Sequence, residues 1–133
     1  MGYLLGMYVV TVIVFFAIDI VWLAVVAKKL YQKEIGTLLK PDTNWFAAIV
    51  FYLLFIFGMV FFVVNPALER NLWTYALGAG ALFGLITYAT YDLTNLATMK
   101  NWPLKITIID LVWGTFVSAS TATLAFFIMQ LFN

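Results

Sequence analysis

Four apolar segments, each long enough to cross a bilayer, occupy most of this chain and constrain its fold more than any other feature. A membrane-spanning helix needs about 20 predominantly apolar residues, and such runs cover approximately residues 3–27, 45–64, 72–97 and 104–131. In a chain of 133 residues these runs leave only short connections. The pattern therefore predicts an all-α fold, an integral membrane four-helix bundle that forms a single transmembrane domain over residues 1–133.

The composition supports a membrane location and excludes several kinds of site. Hydrophobic residues make up 65% of the chain and charged residues 10%, whereas soluble proteins carry about 25% charged residues. The chain has no cysteine and no histidine, which excludes disulfides, thiol redox chemistry and the usual zinc sites. Any metal would have to be held by oxygen ligands alone, and we assign no cofactor and no metal site. The chain has no basic stripe, so no nucleic-acid partner is expected. Membrane lipid is the expected partner, and a homo-oligomer remains open.

The lysines indicate how the helices are oriented. Loops one and three share one side of the membrane because two spans separate them. Together they carry Lys28, Lys29, Lys33, Lys40, Lys100 and Lys105. The opposite side has only Arg70, next to Glu69. The positive-inside rule then predicts a multi-pass protein whose loops 28–44 and 98–103 are cytoplasmic and whose termini are both external.

Three aspartates lie inside the predicted helices: Asp19, Asp92 and Asp110. An ionisable residue at the centre of a membrane helix costs about 2.5–3.5 kcal/mol on insertion scales. Each aspartate is five to nine residues from a lysine at the end of its helix, which corresponds to about 7–13 Å along the axis. Because alternate helices run in opposite directions, all three are expected in the cytoplasmic half, where they can share one site.

Aromatic and amide residues accompany these aspartates at helical spacing. The pair Asp19-x-x-Trp22 recurs as Asp110-x-x-Trp113, and an indole N–H can donate to a carboxylate of a neighbouring helix. The candidate ligand-binding residues are Asp19, Trp22, Tyr88, Tyr91, Asp92, Asn95, Asp110 and Trp113. No catalytic residue is assigned. The alternative interpretation is structural, because buried polar residues also hold membrane helices together.

Several motifs resemble one known family. They are AIDIVWLA at residues 17–24, AAIVFYLLFIFG at 47–58, YDLTNLATMKNWP at 91–103 and IDLVWGT at 109–115. With them, nearly the full chain resembles the small bacterial inner-membrane family catalogued as domain of unknown function 2177. The resemblance implies a four-helix, multi-pass protein of the bacterial inner (plasma) membrane and supplies no activity.

A weak internal repeat suggests two related helical hairpins. The segment from Asp19 to Ala24 with Lys28 beyond it is similar to the segment from Asp92 to Ala97 with Lys100 beyond it. The second and fourth apolar runs match poorly, so chance similarity between apolar sequences remains an alternative to duplication.

Three hypotheses for function follow from the acidic and aromatic residues. The first is an intramembrane pocket on the cytoplasmic side that binds or transports a small cationic or amphipathic ligand, with Trp22 and Trp113 facing the cation. The second is a structural or accessory membrane subunit. The third is a Mg²⁺-dependent lipid-modifying enzyme, whose carboxylates would hold the metal. Enzymatic activity and the identity of the ligand remain open.

Overall fold

The computed structural model describes residues 2–36 and 44–132, and every regular element in these two ranges is helical. Helix α1 covers Gly2–Ile35, α2 covers Trp45–Arg70, α3 covers Trp73–Thr98 and α4 covers Leu104–Gln130. The prediction of an all-α protein is therefore confirmed. The predicted bounds of the last two helices, 72–97 and 104–131, lie within one residue of the observed ones.

Helix α1 extends well beyond residue 27, where the apolar run ends. It is α-helical over Gly2–Trp22, passes through a π-helical segment at Leu23–Ala27 and continues as an α-helix over Lys28–Ile35. We call this last part the α1 tail. The first part of the predicted loop 28–44 is thus helical, while residues 37–43, including Lys40, lie outside the described residues. The tail is helical because its apolar side chains pack on α4. In the sequence, its lysines make the same segment look like a polar loop.

Helix α2 also continues past its predicted end at residue 64. It is α-helical over Trp45–Met59, π-helical over Val60–Val64 and α-helical again over Asn65–Arg70. Pro66 would normally break the helix because it removes a hydrogen bond to the carbonyl four residues earlier. Here the carbonyl of Phe62 accepts a hydrogen bond from the Tyr75 hydroxyl at 3.2 Å. The lost backbone partner is thereby replaced, and the helix continues until Asn71 ends it in a left-handed conformation, with φ of 52°.

Three glycines bring α3 and α4 into close contact. A Cβ atom added at Gly80 would lie 3.0 Å from Cβ of Ala122, and one added at Gly84 would lie 2.6 Å from Cβ of Ser118. On the other helix, a Cβ at Gly114 would lie 2.8 Å from Cβ of Tyr88. Small residues of this kind allow the backbones of membrane helices to approach each other. The Gly80-x-x-x-Gly84 motif therefore serves helix packing.

Three helices, α1, α2 and α4, are long and apolar enough to cross a membrane. Helix α3 has 26 residues, so it is long enough, but its tyrosines, threonines, glycines and Asp92 make it less apolar and it falls outside this set. Its side chains that face outward are nevertheless mostly apolar. They include Leu77, Leu82, Leu85, Ile86 and Leu93, all exposed.

The hydrophobic core lies in the half of the molecule away from the lysines. Its fully or almost fully buried members come from every helix and include Met7, Phe15, Ile56, Met59, Ala76 and Phe126. We call the other half the lysine-rich half. It contains the α1 tail, the beginnings of α2 and α4, and the end of α3.

Helix α2 behaves differently in the two halves. From Phe55 to Ala67 it buries residues at intervals of three and four, as expected for a helix packed on one face. From Trp45 to Leu54 no residue is buried, although Asn44 caps the helix by accepting a hydrogen bond from the Ala47 N–H at 3.1 Å. The first half of α2 therefore contacts α1 only locally, through Tyr52 and through a hydrogen bond from the Tyr8 hydroxyl to the Leu53 carbonyl at 2.9 Å, and leaves space beside it.

Candidate functional site

A cavity of about 440 Å³ lies in the lysine-rich half and is lined by residues from all the described helices. We call it the aspartate cavity. Six of the eight predicted site residues line it: Asp19, Trp22, Tyr88, Tyr91, Asp110 and Trp113. Five further lining residues were not predicted: Leu23, Tyr31, Phe51, Tyr52 and Thr87. The walls are thus mainly aromatic and apolar, with two carboxyl groups from different helices.

A pair of tryptophans forms one wall of the cavity. The rings of Trp22 on α1 and Trp113 on α4 stack with their centroids 4.4 Å apart and their planes inclined by 10°. The Trp113 indole also lies beside the Asp19 carboxyl group, but its N–H forms no hydrogen bond of ordinary geometry with the described residues. The two tryptophans of the repeated Asp-x-x-Trp spacing therefore lie together, and Trp113 of α4 also contacts Asp19 of α1.

The second carboxyl group, Asp110, receives a hydrogen bond from the hydroxyl of Tyr31 in the α1 tail. In a regular α-helix, residues 19 and 31 would be separated by about 120° around the axis. The π-helical segment at Leu23–Ala27 lies between them, and a π turn holds about one extra residue, so the separation falls to about 20°. The π segment thus turns Tyr31 to the face of α1 that carries Asp19. Sequence reasoning missed Tyr31 because no feature of the apolar run marks the π turn.

Further contacts hold the α1 tail against α4. The Lys105 ammonium lies 3.2 Å from the Glu34 carboxylate in an ion pair on the partly exposed side. Beneath it, Ile35, Trp102 and Ile106 form a small buried cluster. The α1 tail therefore covers the end of the aspartate cavity nearest the lysines.

Two of the predicted site residues, Asp92 and Asn95, do not line the cavity. Asp92 is fully buried, and neither of its carboxyl oxygens has a hydrogen-bond partner among the described residues. Asn95 is seven residues beyond Tyr88 along α3, which is about 10 Å closer to the lysine-rich end, and its side chain interacts with Tyr91. The predicted polar residues of α3 thus extend along the helix beyond the part that lines the cavity.

The three aspartates do not form a metal-ligand cluster. In residues 2–36 and 44–132 no group of three or more acidic, histidine or cysteine residues is close enough together to hold a metal ion. Asp19 and Asp110 instead face a shared space whose other walls are aromatic. Carboxylates with aromatic rings suit a small organic cation, because the rings attract positive charge through their faces.

Comparison with known proteins gives a family without a stated activity. A family model described as a predicted membrane protein, DUF2177, matches residues 4–127. No curated protein and no solved structure matched the chain.

Proposed function

The chain belongs to the DUF2177 family of predicted membrane proteins, and from that premise we propose that it is a membrane-embedded protein that binds, and in a cycle of opening and closing transports, small organic cations. The observation that carries the proposal is the pair of carboxyl groups, Asp19 and Asp110, that face one cavity from two helices. The ligand's positive charge would lie between these carboxyl groups, and the methyl or methylene groups next to the charge would lie against the stacked indoles of Trp22 and Trp113.

The size and surroundings of the aspartate cavity support this proposal. Small-molecule pockets usually have volumes of about 300–1,000 Å³, and this cavity has about 440 Å³. Asp19 and Asp110 are 5% and 8% exposed, and ionisable groups buried inside a membrane protein usually mark a ligand or ion path. A cation bound between them would compensate the cost of burying the carboxylates.

We further propose that α3 is the fourth span and that the lysine-rich half faces the cytoplasm of a bacterial inner membrane. The exposed apolar side chains of α3 support the span, since they suit a lipid-facing surface. The lysine bias supports the orientation, with both termini outside. In this arrangement Tyr31 and the α1 tail separate the aspartate cavity from the cytoplasm.

Cysteine labelling tests the topology directly, because the chain has no native cysteine. Lys29→Cys in the α1 tail and Asn71→Cys between α2 and α3 are expressed separately in intact cells. A membrane-impermeant maleimide should label Asn71→Cys before lysis and Lys29→Cys only after lysis. Labelling of both before lysis would contradict the orientation.

Cation binding is tested with the purified protein in lipid nanodiscs, using tetramethylammonium and the change in tryptophan fluorescence. We expect saturable binding that Asp19→Asn and Asp110→Asn each weaken by at least about tenfold, the equivalent of about 1.4 kcal/mol. Glu69→Gln is the matched control, because it removes an exposed carboxyl group from the opposite half. No binding by the wild type, or equal binding by all three variants, would overturn the proposal and favour an accessory subunit.

The magnesium-dependent enzyme is not proposed. Among residues 2–36 and 44–132, Asp19 and Asp110 are the only aspartates on the cavity lining, and no described residue forms an acidic cluster with them. The same nanodisc assay with Mg²⁺ in place of tetramethylammonium distinguishes the two ideas. Binding of Mg²⁺ that depends on both aspartates would favour the hypothesis of a Mg²⁺-dependent enzyme.

A further inference from the structure

A second cavity, of about 300 Å³, lies between α1 and the first half of α2. We call it the side cavity. Its lining is apolar or aromatic and comprises Val12 and Phe16 on α1 and Trp45, Ala48, Ile49, Tyr52, Leu53 and Ile56 on α2. None of these side chains carries a charge, so the side cavity suits a hydrocarbon.

The shape of the side cavity favours a chain over a compact group. Its lining on α2 runs from Trp45 to Ile56, a distance of about 16 Å along the helix axis. The lining follows α2 for about three turns but includes only Val12 and Phe16 on α1, so the apolar wall is elongated along α2. Trp45, which is 70% exposed, lies at the end nearest the lysine-rich surface.

Tyr52 connects the side cavity to the aspartate cavity, because it lines both. Its ring packs at 5.3 Å from the ring of Phe16 and at 5.8 Å from that of Phe15. The Tyr52 side chain also lies close enough to Asp19 to interact with it electrostatically. The two cavities are therefore neighbours that share one partly buried side chain, with a carboxyl group on one side and hydrocarbon walls on the other.

We propose that the ligand is a long-chain amphiphile, a quaternary or primary amine whose cationic head occupies the aspartate cavity and whose alkyl chain passes Tyr52 into the side cavity. This inference rests on the proposed cation-binding function and names its substrate class. Charge complementarity places the head at Asp19 and Asp110. The length and apolar lining of the side cavity place the chain along α2.

Photolabelling locates the chain. The probe is dodecyltrimethylammonium with a diazirine at the end of the alkyl chain, bound to the full-length protein in lipid nanodiscs and mapped by peptide mass spectrometry. We expect labelling within residues 12–16 and 45–56, displaced by excess tetramethylammonium and lost in Asp19→Asn. Labelling of these residues that survives both treatments would mean ordinary lipid contact and would overturn the inference.

A matched pair of variants tests whether the side cavity sets the preference for a chain. Ala48 lines the side cavity, whereas Ala47 is exposed and outside it. Ala48→Phe fills the cavity and should weaken dodecyltrimethylammonium by about tenfold, equivalent to the loss of roughly two buried methylene groups. It should leave tetramethylammonium unchanged within about twofold, and Ala47→Phe should leave both cations unchanged.

The outcomes separate the two proposals. If tetramethylammonium binding depends on Asp19 while Ala48→Phe has no effect on the long-chain cation, cation binding stands and the chain site is wrong. If tetramethylammonium does not bind the wild type, the proposed function itself is wrong and the inference falls with it. Expressing the affinity of each variant for a cation relative to the wild-type affinity for the same cation cancels the tendency of the alkyl chain to enter the bilayer.

Discussion

The two halves of this molecule differ in how tightly their helices pack. Away from the lysines, all the helices contribute to one core, and residues such as Met7, Ile56 and Met59 are fully buried. In the lysine-rich half, the first part of α2 buries nothing, two cavities flank it, and carboxyl groups face the larger one. Apolar burial in one half can offset the free-energy cost of open space and buried carboxyl groups in the other, because stability is the small difference between large opposing contributions.

The largest expected difference between the halves concerns a single side chain of α2. Met59 is fully buried, whereas Leu54 on the same helix is 65% exposed. Truncating a buried methionine to alanine costs about 2–5 kcal/mol, so Met59→Ala should lower the free energy of unfolding by that amount, measured by titration with SDS micelles. Leu54→Ala should change it by less than about 1 kcal/mol. Equal losses would mean that the first half of α2 packs on the other helices in the membrane.

Glycine substitutions on α3 give the next largest contrast. Gly84→Ala would bring a Cβ atom against the Gly114 carbonyl and the Ser118 side chain, and overpacking of this kind costs about 1–3 kcal/mol. At Gly78 an added Cβ meets nothing within 4 Å. Gly78→Ala should therefore be neutral or stabilising by up to about 1 kcal/mol, because alanine is the better helix former. Both are measured in the SDS titration, and destabilisation by Gly78→Ala would contradict the packing described for α3.

Asp92 should respond in the opposite direction. It is fully buried and its carboxyl oxygens have no partner among the described residues. An unsatisfied buried polar group costs about 1–3 kcal/mol, so Asp92→Leu should raise the free energy of unfolding by about that much. Tetramethylammonium binding should not change, since Asp92 does not line the aspartate cavity. A loss of stability would show that Asp92 has a polar partner in the membrane and acts as interhelical glue.

The helix bounds could be predicted from the sequence where neighbouring residues determine them. They could not be predicted where contacts with other helices determine them. The short polar connection after Thr98 and Pro103, the N-cap of α4, mark the boundary between α3 and α4, so the predicted bounds agree closely there. The α1 tail looks like a polar loop in the sequence, but in the structure Ile35 packs against Trp102, just before α4, and Ile106 in α4. Pro66 looks like a helix end, but the Tyr75 hydroxyl supplies the missing partner for the Phe62 carbonyl. Neither contact can be inferred from neighbouring residues.

The site shows the same division. Asp19, Trp22, Asp110 and Trp113 could be predicted because two polar or aromatic residues three apart share a helix face. Helical spacing alone could not show that Asp92 differs from the cavity residues. Its side chain is buried between helices and does not reach the cavity. Tyr52 was passed over because α2 is otherwise apolar and gave no polar pattern.

The smallest expected effect concerns Tyr31, whose position depends on the π turn. Tyr31→Phe removes the hydrogen bond to Asp110 and should lower the free energy of unfolding by only about 0.5–1.5 kcal/mol, because Ile35 and the Glu34–Lys105 ion pair still hold the α1 tail. Its local effect should be larger, since the tail covers the cavity at that end. Hydrogen exchange of the Lys28–Ile35 amides should accelerate in Tyr31→Phe, while the amides around Met59 in the core keep their wild-type rates. Unchanged exchange in the tail would mean that the Tyr31 hydroxyl does not hold it closed, and that the lysine-rich half is as rigid as the half that contains the core.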